Sequence, residues 1–287
     1  MRDNGLKVTV WTYLALFLGM AGLMSCRGQG LIIDPYRFAP SATADLTNLL
    51  VAYWTLDEAS GTRVNSADTG TAADLSSVNS VSSTPGKINN ALLAEVPGGA
   101  GTAKYVRRTA VDCNTLGTNF MHGSSSPGAD TSFTIAGWVS FENITDARYW
   151  VNKHGATSGD TIGSHYNPGT ATIRAWIRKE GGGYNNVDST NVVILANTWY
   201  YVVIWYDKAG ATFNIQVDNG DVGVVSLGGG FTLYDCNTTF TLGNYNDGHA
   251  NSLKGRVDEV GMWKRVLTSA ERTALYNSGN GLTYADW

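Results

Sequence analysis

An all-β sandwich is the fold this sequence predicts, and three observations predict it. From Leu49 onward, short apolar runs rich in β-branched and aromatic residues recur, broken by Gly, Asn and Asp. Only 15% of the 287 residues are charged, while 34 are glycine, 9 tryptophan and 14 tyrosine. Aromatics favour strands and glycine supplies turn geometry. No internal repeat and no long helical period interrupts this texture. Many strands at short spacing argue for packed antiparallel sheets rather than alternating α/β units.

The N-terminus has a different character. Arg2 and Lys7 precede the uncharged stretch VTVWTYLALFLGMAGLMS, a basic segment followed by an apolar one too short for a membrane span. LMSC, Leu23 to Cys26, is similar to the lipobox at which bacterial lipoproteins are cleaved and lipidated, although Met24 departs from the small or β-branched residue usual there. Residues 1–26 are read as a signal peptide or lipoprotein signal with Cys26 as the lipidation site. An uncleaved anchor, or a true start at Met20 or Met24, remains the alternative. Residues 27–48, with Pro35 and Pro40, are read as a linker or arm. Within it GLIIDPYRFA is similar to the openings of some phage virion proteins. Residues 49–287 form the folded domain. Cys113 and Cys236 are an even pair in an oxidising compartment, bonded to each other or both free.

The strands follow in order. Leu49 to Leu56 (LLVAYWTL) and Ser132 to Phe141 are rich in β-branched and aromatic residues. Trp199 to Asp207 (WYYVVIWYD) is apolar on both faces, as for a strand buried between two layers. Phe213, Ile215 and Val217 alternate with Thr212, Asn214, Gln216 and Asp218, which predicts a strand with one wet face. Asn219-Gly220 is a two-residue hairpin signal returning as DVGVVSL. Gly98 to Asp130 should hold a strand and an exposed loop. In LTSAERTALYNSG, Thr268 and Glu271 form a capping box, and Leu267, Leu275 and Tyr276 can face the sandwich. Gly279 is placed to end this short helix, which should cover one end of a sheet.

The segment Gly255 to Trp263 (GRVDEVGMW) poses a question. Strict alternation puts Arg256, Asp258, Val260 and Met262 on one face and Val257, Glu259, Gly261 and Trp263 on the other. Either way a carboxylate lies among apolar neighbours, at a cost unless it is satisfied.

At this point the residues resemble a family. LVAYWTLDEASGTRVNSADTGTAADL, SFTIAGWVSF, ANTWYYVVIWYDKAGATFNIQVDNG and LKGRVDEVGMWKRVLTSAERTALYNSG resemble, in order, the opening, central, back and closing pieces of LamG-like domains in the concanavalin A-like lectin/glucanase superfamily. The resemblance spans residues 49 to 283. It implies a two-sheet antiparallel jelly-roll sandwich with one short C-terminal helix. NSADTGTA departs from a turn usually richer in Asp and Gly. Some members hold calcium at the sandwich rim, so the resemblance implies one calcium ion on Asp258 with Asp57 or Glu58. The other reading is that Arg256, Arg265 or backbone N–H groups satisfy these acids.

Glycosidases on this sandwich carry paired carboxylates on one strand, in a pattern close to Glu-x-Asp-x-x-Glu. No such run occurs. Glu142 and Asp146 have the wrong spacing, Glu180 stands alone, and Asp188 and Asp247 read as loop residues. His122, His154, His165 and His249 are scattered without a Ser or Cys partner and also read as loop residues. The chain is therefore read as non-enzymatic. Its net charge of -4 leaves no basic footprint for nucleic acid.

Asp146 to Gly155, Ser164 to Gly169, Glu180 to Asp188 and Gly243 to Asn251 read as loops or strand ends of sugar-binding composition, aromatic rings beside polar groups. Tyr166, Tyr184 and Tyr245 are the stacking candidates, with Asn185, Asn246, Asp247 and His249 as polar partners. The expected function is a non-catalytic carbohydrate-binding or adhesive module outside the cell. The expected partner is a glycan or cell-surface polysaccharide, or else a protein, with membrane contact only through the N-terminal lipid or anchor. A virion-associated structural or host-recognition protein is the alternative, and a glycan hydrolase ranks third.

Overall fold

The computed structural model describes residues 45–67, 73–98, 101–109, 130–155, 159–234, 239–245 and 251–287. Cys26, Cys113, Cys236, Asn246, Asp247 and His249 lie outside them. The compact unit begins at Ala44, and Leu46 is buried, so the fold starts a few residues before the predicted boundary at 49.

Two antiparallel sheets make the sandwich. The eight-stranded sheet runs β13 (Val222–Ser226), β12 (Thr212–Val217), β11 (Trp199–Asp207), β6 (Phe133–Phe141), β15 (Gly255–Trp263), β4 (Asn90–Ala94) and β3 (Ser82–Pro85), with β1 (Leu50–Trp54) also paired to β15. The seven-stranded sheet runs β10 (Tyr184–Asp188), β9 (Thr172–Arg178), β8 (Gly159–Asn167), β7 (Arg148–Gly155), β14 (Thr239–Leu242), β5 (Tyr105–Arg108) and β2 (Ser76–Val78). Runs of consecutive hairpin strands are joined by sequence-distant pairs, as in β6 with β15 and β7 with β14, consistent with a jelly roll. Among the described residues no helix is long and apolar enough to cross a membrane.

The main core lies between the sheets. Val139, Val202, Ile204 and Phe213 from one sheet meet Val151, Ile173, Ile177 and Phe240 from the other. Trp54 on β1 stacks on Phe240 on β14, with ring centroids 5.7 Å apart. Each fully buried side chain of this kind contributes about 1.5–3 kcal/mol.

A second apolar layer covers the outer face of the eight-stranded sheet. Trp138, Tyr201, Val203, Trp205 and Trp263 point away from the main core and meet Leu46, Leu267 and Leu275. Helix α1 (Ser269–Tyr276) has the expected capping box. It ends at Asn277, which takes the left-handed cap in place of Gly279. The helix lies over the sheet face rather than at one end of it.

That placement corrects the wet face expected for β12. Asn214 and Gln216 are buried, because Arg272 of α1 donates through Nε to Gln216 Oε1 at 2.7 Å and lies over the Trp205 ring. The β12–β13 turn is also shifted by one residue. Asp218 and Asn219 both have positive φ, and the Gly220 N–H donates to the Val217 carbonyl at 2.9 Å.

The acids of GRVDEVGMW find their explanation in a β-bulge. Asp258 pairs with Trp138 but Gly261 pairs with Ala136, leaving one extra residue on β15, and Glu259 has a φ of 48°. A bulge shifts alternation by one. Val257 points into the main core before it, and Val260 and Met262 do so after it. The two acids therefore do not straddle the sheet as strict alternation predicts. Backbone N–H groups of Lys87 and Ile88 donate to Asp258 Oδ2 at 2.8 and 2.9 Å, and the Tyr53 hydroxyl donates to Glu259 Oε2. Arg265 instead pairs with Glu271, and Arg256 lies over Trp199.

Candidate functional site

With α1 covering one outer face, the outer face of the seven-stranded sheet is where a site can form. Register builds it. Tyr149 on β7 pairs with His165 on β8, His165 with Arg174 on β9, and Arg174 with Asp188 on β10. Two residues along on β8, β9 and β10, and three along on β7 past a register shift between Tyr149 and Val151, Gly163, Trp176, Asn186 and Asn152 form the adjacent row. Side chains two apart on a strand share a face, so both rows look outward. Ile162, Ile173, Ala175, Ile177 and Val187 look into the core.

Gly163 makes the floor possible. A Cβ there would lie 2.5 Å from Trp176 Cζ2 and 2.7 Å from Asn152 Oδ1. The indole thus lies across bare backbone, as cross-strand aromatics do over a strand glycine. Tyr184, half exposed, stands edge-on to Trp176 with centroids 5.5 Å apart at 83°. On the other side Tyr149 stacks on His165 at 4.4 Å and 22°, and Tyr245 packs on Tyr149 and on His154. Asn152 Nδ2 donates to the Tyr245 carbonyl, fixing a residue three beyond the end of β14. Tyr149, His165, Arg174, Trp176, Tyr184 and Asn186 enclose an open cleft of about 240 Å³.

The charge pair beside the cleft is internally matched, and Arg178 next to it lies over the Tyr184 and Tyr234 rings. Arg174 donates to Asp188 twice, Nε to Oδ1 at 2.8 Å and Nη2 to Oδ2 at 2.7 Å. The Arg174 pairing holds the Asp188 carboxyl below its ordinary range. Burial, aided by the neighbouring Arg174 cation, pushes the His165 imidazole down to about 4, so it is neutral at physiological pH. Burial raises the phenols of Tyr149 and Tyr245, which therefore keep their protons. The result is a neutral, ring-lined cleft offering hydroxyl and amide groups.

The sequence-predicted residues divide. Tyr184 stands at the cleft, and Tyr245 abuts Tyr149 beside it. Tyr166 does not contribute: only 3% exposed, it points inward and packs against Phe141. Asn185 alternates with Tyr184 and Asn186 on β10 and so takes the opposite face. His154, His165 and Asp188, read as loop residues, lie in strands. Sequence reasoning missed Tyr149, Arg174 and Trp176. The usable signal was TIRAWIR, where Ile173, Ala175 and Ile177 alternate with Arg174, Trp176 and Arg178.

Each predicted calcium ligand already has a partner through one of its oxygens. Asp57 Oδ1 accepts from the Asn90 N–H at 2.9 Å, and Glu58 Oε1 accepts from the Val64 N–H at 2.6 Å. Asp258 is held by Lys87 and Ile88. Among the described residues, no three His, Cys, Asp or Glu side chains gather as a metal-binding group, and calcium takes about six to eight oxygens.

Comparison with known proteins places this architecture. A laminin-G model, described as the concanavalin A-like lectin/glucanases superfamily, matches residues 117–271, more than half of the chain. The chain belongs to that superfamily. A search of curated proteins found no match. Among solved structures, domain 4 of AbnA, a GH43 extracellular arabinanase from Geobacillus stearothermophilus in complex with arabinotriose, is 14% identical with a TM-score of 0.53, covering 81% of this chain and 98% of that one. The binding domain of Paraclostridial Mosquitocidal Protein 1 is 13% identical with a TM-score of 0.57, covering 81% and 53%. The binding domain of Botulinum Neurotoxin DC in complex with SialylT is 10% identical with a TM-score of 0.55, covering 81% and 52%. The superfamily member described here thus aligns with about half of each toxin domain, and these likenesses concern the fold.

Proposed function

We propose that this domain is a non-catalytic module, displayed outside the cell by its N-terminal segment, that binds a saccharide on the outer face of the seven-stranded sheet. The observation that carries the reading is Tyr184, half exposed and held edge-on above the Trp176 floor in an open cleft. An aromatic ring standing in solvent beside hydroxyl and amide groups suits the apolar face and hydroxyls of a sugar ring. Structural neighbours seen in complex with arabinotriose and SialylT support a glycan ligand on this fold. A binding role fits better than hydrolysis. Glycosidases use two carboxylates across the scissile bond, whereas the cleft lining holds none and Asp188 beside it is committed to Arg174.

The test is a glycan-array screen of the full chain and its Tyr184→Ala variant, in calcium and again in EDTA. Binding to at least one saccharide is expected, weakened about tenfold by Tyr184→Ala, since an aromatic contact contributes about 0.5–1.5 kcal/mol beyond its area. Glycan binding that Tyr184→Ala leaves untouched would place the site elsewhere. Loss of binding in EDTA would put a calcium ion into it.

A further inference from the structure

We infer that the cleft selects an uncharged saccharide unit and that Asp188 is the residue that sets this selectivity. The inference rests on the glycan reading above and narrows it. Arg174 is the one Lys or Arg among the six residues lining the cleft. A guanidinium fork is the group best shaped to grip a carboxylate in two places, and it is how a cleft such as this would hold a sialic or uronic acid. Here Asp188 already fills the fork through both of its oxygens, at 2.8 and 2.7 Å, and Thr172 Oγ1 donates to Asp188 Oδ1 at 3.0 Å. An incoming carboxylate meets a matched cation and a second negative charge beside it, which repels it.

The other lining residues add no cation, and just outside them the Arg178 guanidinium is spread over the Tyr184 and Tyr234 rings, 5.6 and 4.1 Å from their centroids. His165 faces Arg174 directly across the strand pair and is 8% exposed. Burial and the adjacent guanidinium hold it neutral at physiological pH. Tyr149, Trp176, Tyr184 and Asn186 carry no charge. What the cleft presents is ring surface, phenol hydroxyls and a carboxamide, the complement of a sugar's C–H face and hydroxyl groups. Its volume of about 240 Å³ falls below the roughly 300–1,000 Å³ of pockets that enclose drug-sized ligands. The cleft is an open depression that contacts its ligand from one side rather than enclosing it.

The experiment is calorimetric titration of the full chain and its Asp188→Asn variant with neutral oligosaccharides (arabino-, xylo- and gluco-series) and acidic ones (oligogalacturonides and sialyllactose), at low and high salt. For the natural chain we expect a neutral series to bind with an affinity insensitive to salt, and the acidic ones to bind at least about tenfold more weakly. Asp188→Asn unmasks Arg174, and acidic affinity should rise about tenfold, the worth of a hydrogen bond to a charged group, with the gain fading at high salt. Acidic saccharides outranking neutral ones on the natural chain, with that binding abolished by Tyr184→Ala, would overturn the selectivity while leaving the glycan site standing. So would a folded Asp188→Asn variant with no acidic gain. Should Asp188→Asn not fold, the ranking on the natural chain decides. Failure of every saccharide to bind would remove the glycan reading and this inference together.

Discussion

At the scale of single residues, the cleft depends on an absent side chain. Trp176 is nearly buried although it lies on an outer face, and this is because its indole rests on the backbone of Gly163. Gly163→Ala places a methyl group 2.5 Å from the ring and 2.7 Å from Asn152 Oδ1, closer than carbon tolerates. Overpacking of this sort costs about 1–3 kcal/mol. Thermal unfolding should show that loss, and the near-ultraviolet circular dichroism of the variant should change as Trp176 is lifted off its floor. A variant as stable as the natural chain, with unchanged tryptophan signals, would mean that the indole does not lie across that glycine.

At the scale of elements, the bulge in β15 stores two acids where they cannot easily ionise. Burial pushes the Asp258 carboxyl up to about 8, with the nearby Glu259 and Asp57 carboxylates adding to it. Burial pushes Glu259 up to about 7. An unfolded chain releases these protons near pH 4, so between about pH 4 and pH 8 the folded state holds more protons than the unfolded one. Stability then falls as pH rises through that window, by up to about 1.4 kcal/mol per pH unit for each proton retained. Asp130, Asp188 and Glu271, whose carboxyls are held low, act oppositely only below the ordinary carboxylate range. His165, lowered to about 4, opposes the fall up to about pH 6.5 with one proton against two. Asp258→Asn keeps a carbonyl acceptor for the Lys87 and Ile88 N–H groups and removes one titration. Urea unfolding at pH 5, 6.5 and 8 should show a decline for the natural chain and a shallower one for the variant. Equal slopes would mean that Asp258 ionises freely in the fold.

The same element shows how much was legible in the sequence. Strands such as WYYVVIWYD and the helix with its Thr268–Glu271 box are readable because composition and local hydrogen bonds specify them. The bulge is not, because a run of alternating residues carries no mark of where the ladder will skip. The cleft was legible in part. Four ring-rich segments were read as loops or strand ends because Gly and Asn punctuate them; parts of three lie in β7, β8 and β10, and the fourth holds Tyr245. Parity decided the rest: His165 and Tyr166 are neighbours facing opposite sides, and only the register of β8 against β9 shows that the tyrosine goes in.

At the scale of the whole molecule, the sandwich has two outer faces and treats them differently. One is roofed by α1, with Leu275 buried against an aromatic-rich sheet and Arg265 tying Glu271 to the carbonyls of Asp45 and Asn48. The other keeps Tyr184 half in solvent. If the first face is structural and the second is for binding, substitutions on them should separate stability from affinity. Leu275→Ala leaves a cavity under the helix and should cost about 2–5 kcal/mol, with saccharide affinity unchanged in the fraction that remains folded. Tyr184→Ala removes a surface ring and should cost no more than about 1 kcal/mol, yet weaken binding about tenfold. Denaturant midpoints set against calorimetric affinities for the two variants make the comparison. If Tyr184→Ala proved as destabilising as Leu275→Ala, the exposed ring would be a structural prop, and the face it stands on would lose its claim to be the binding surface.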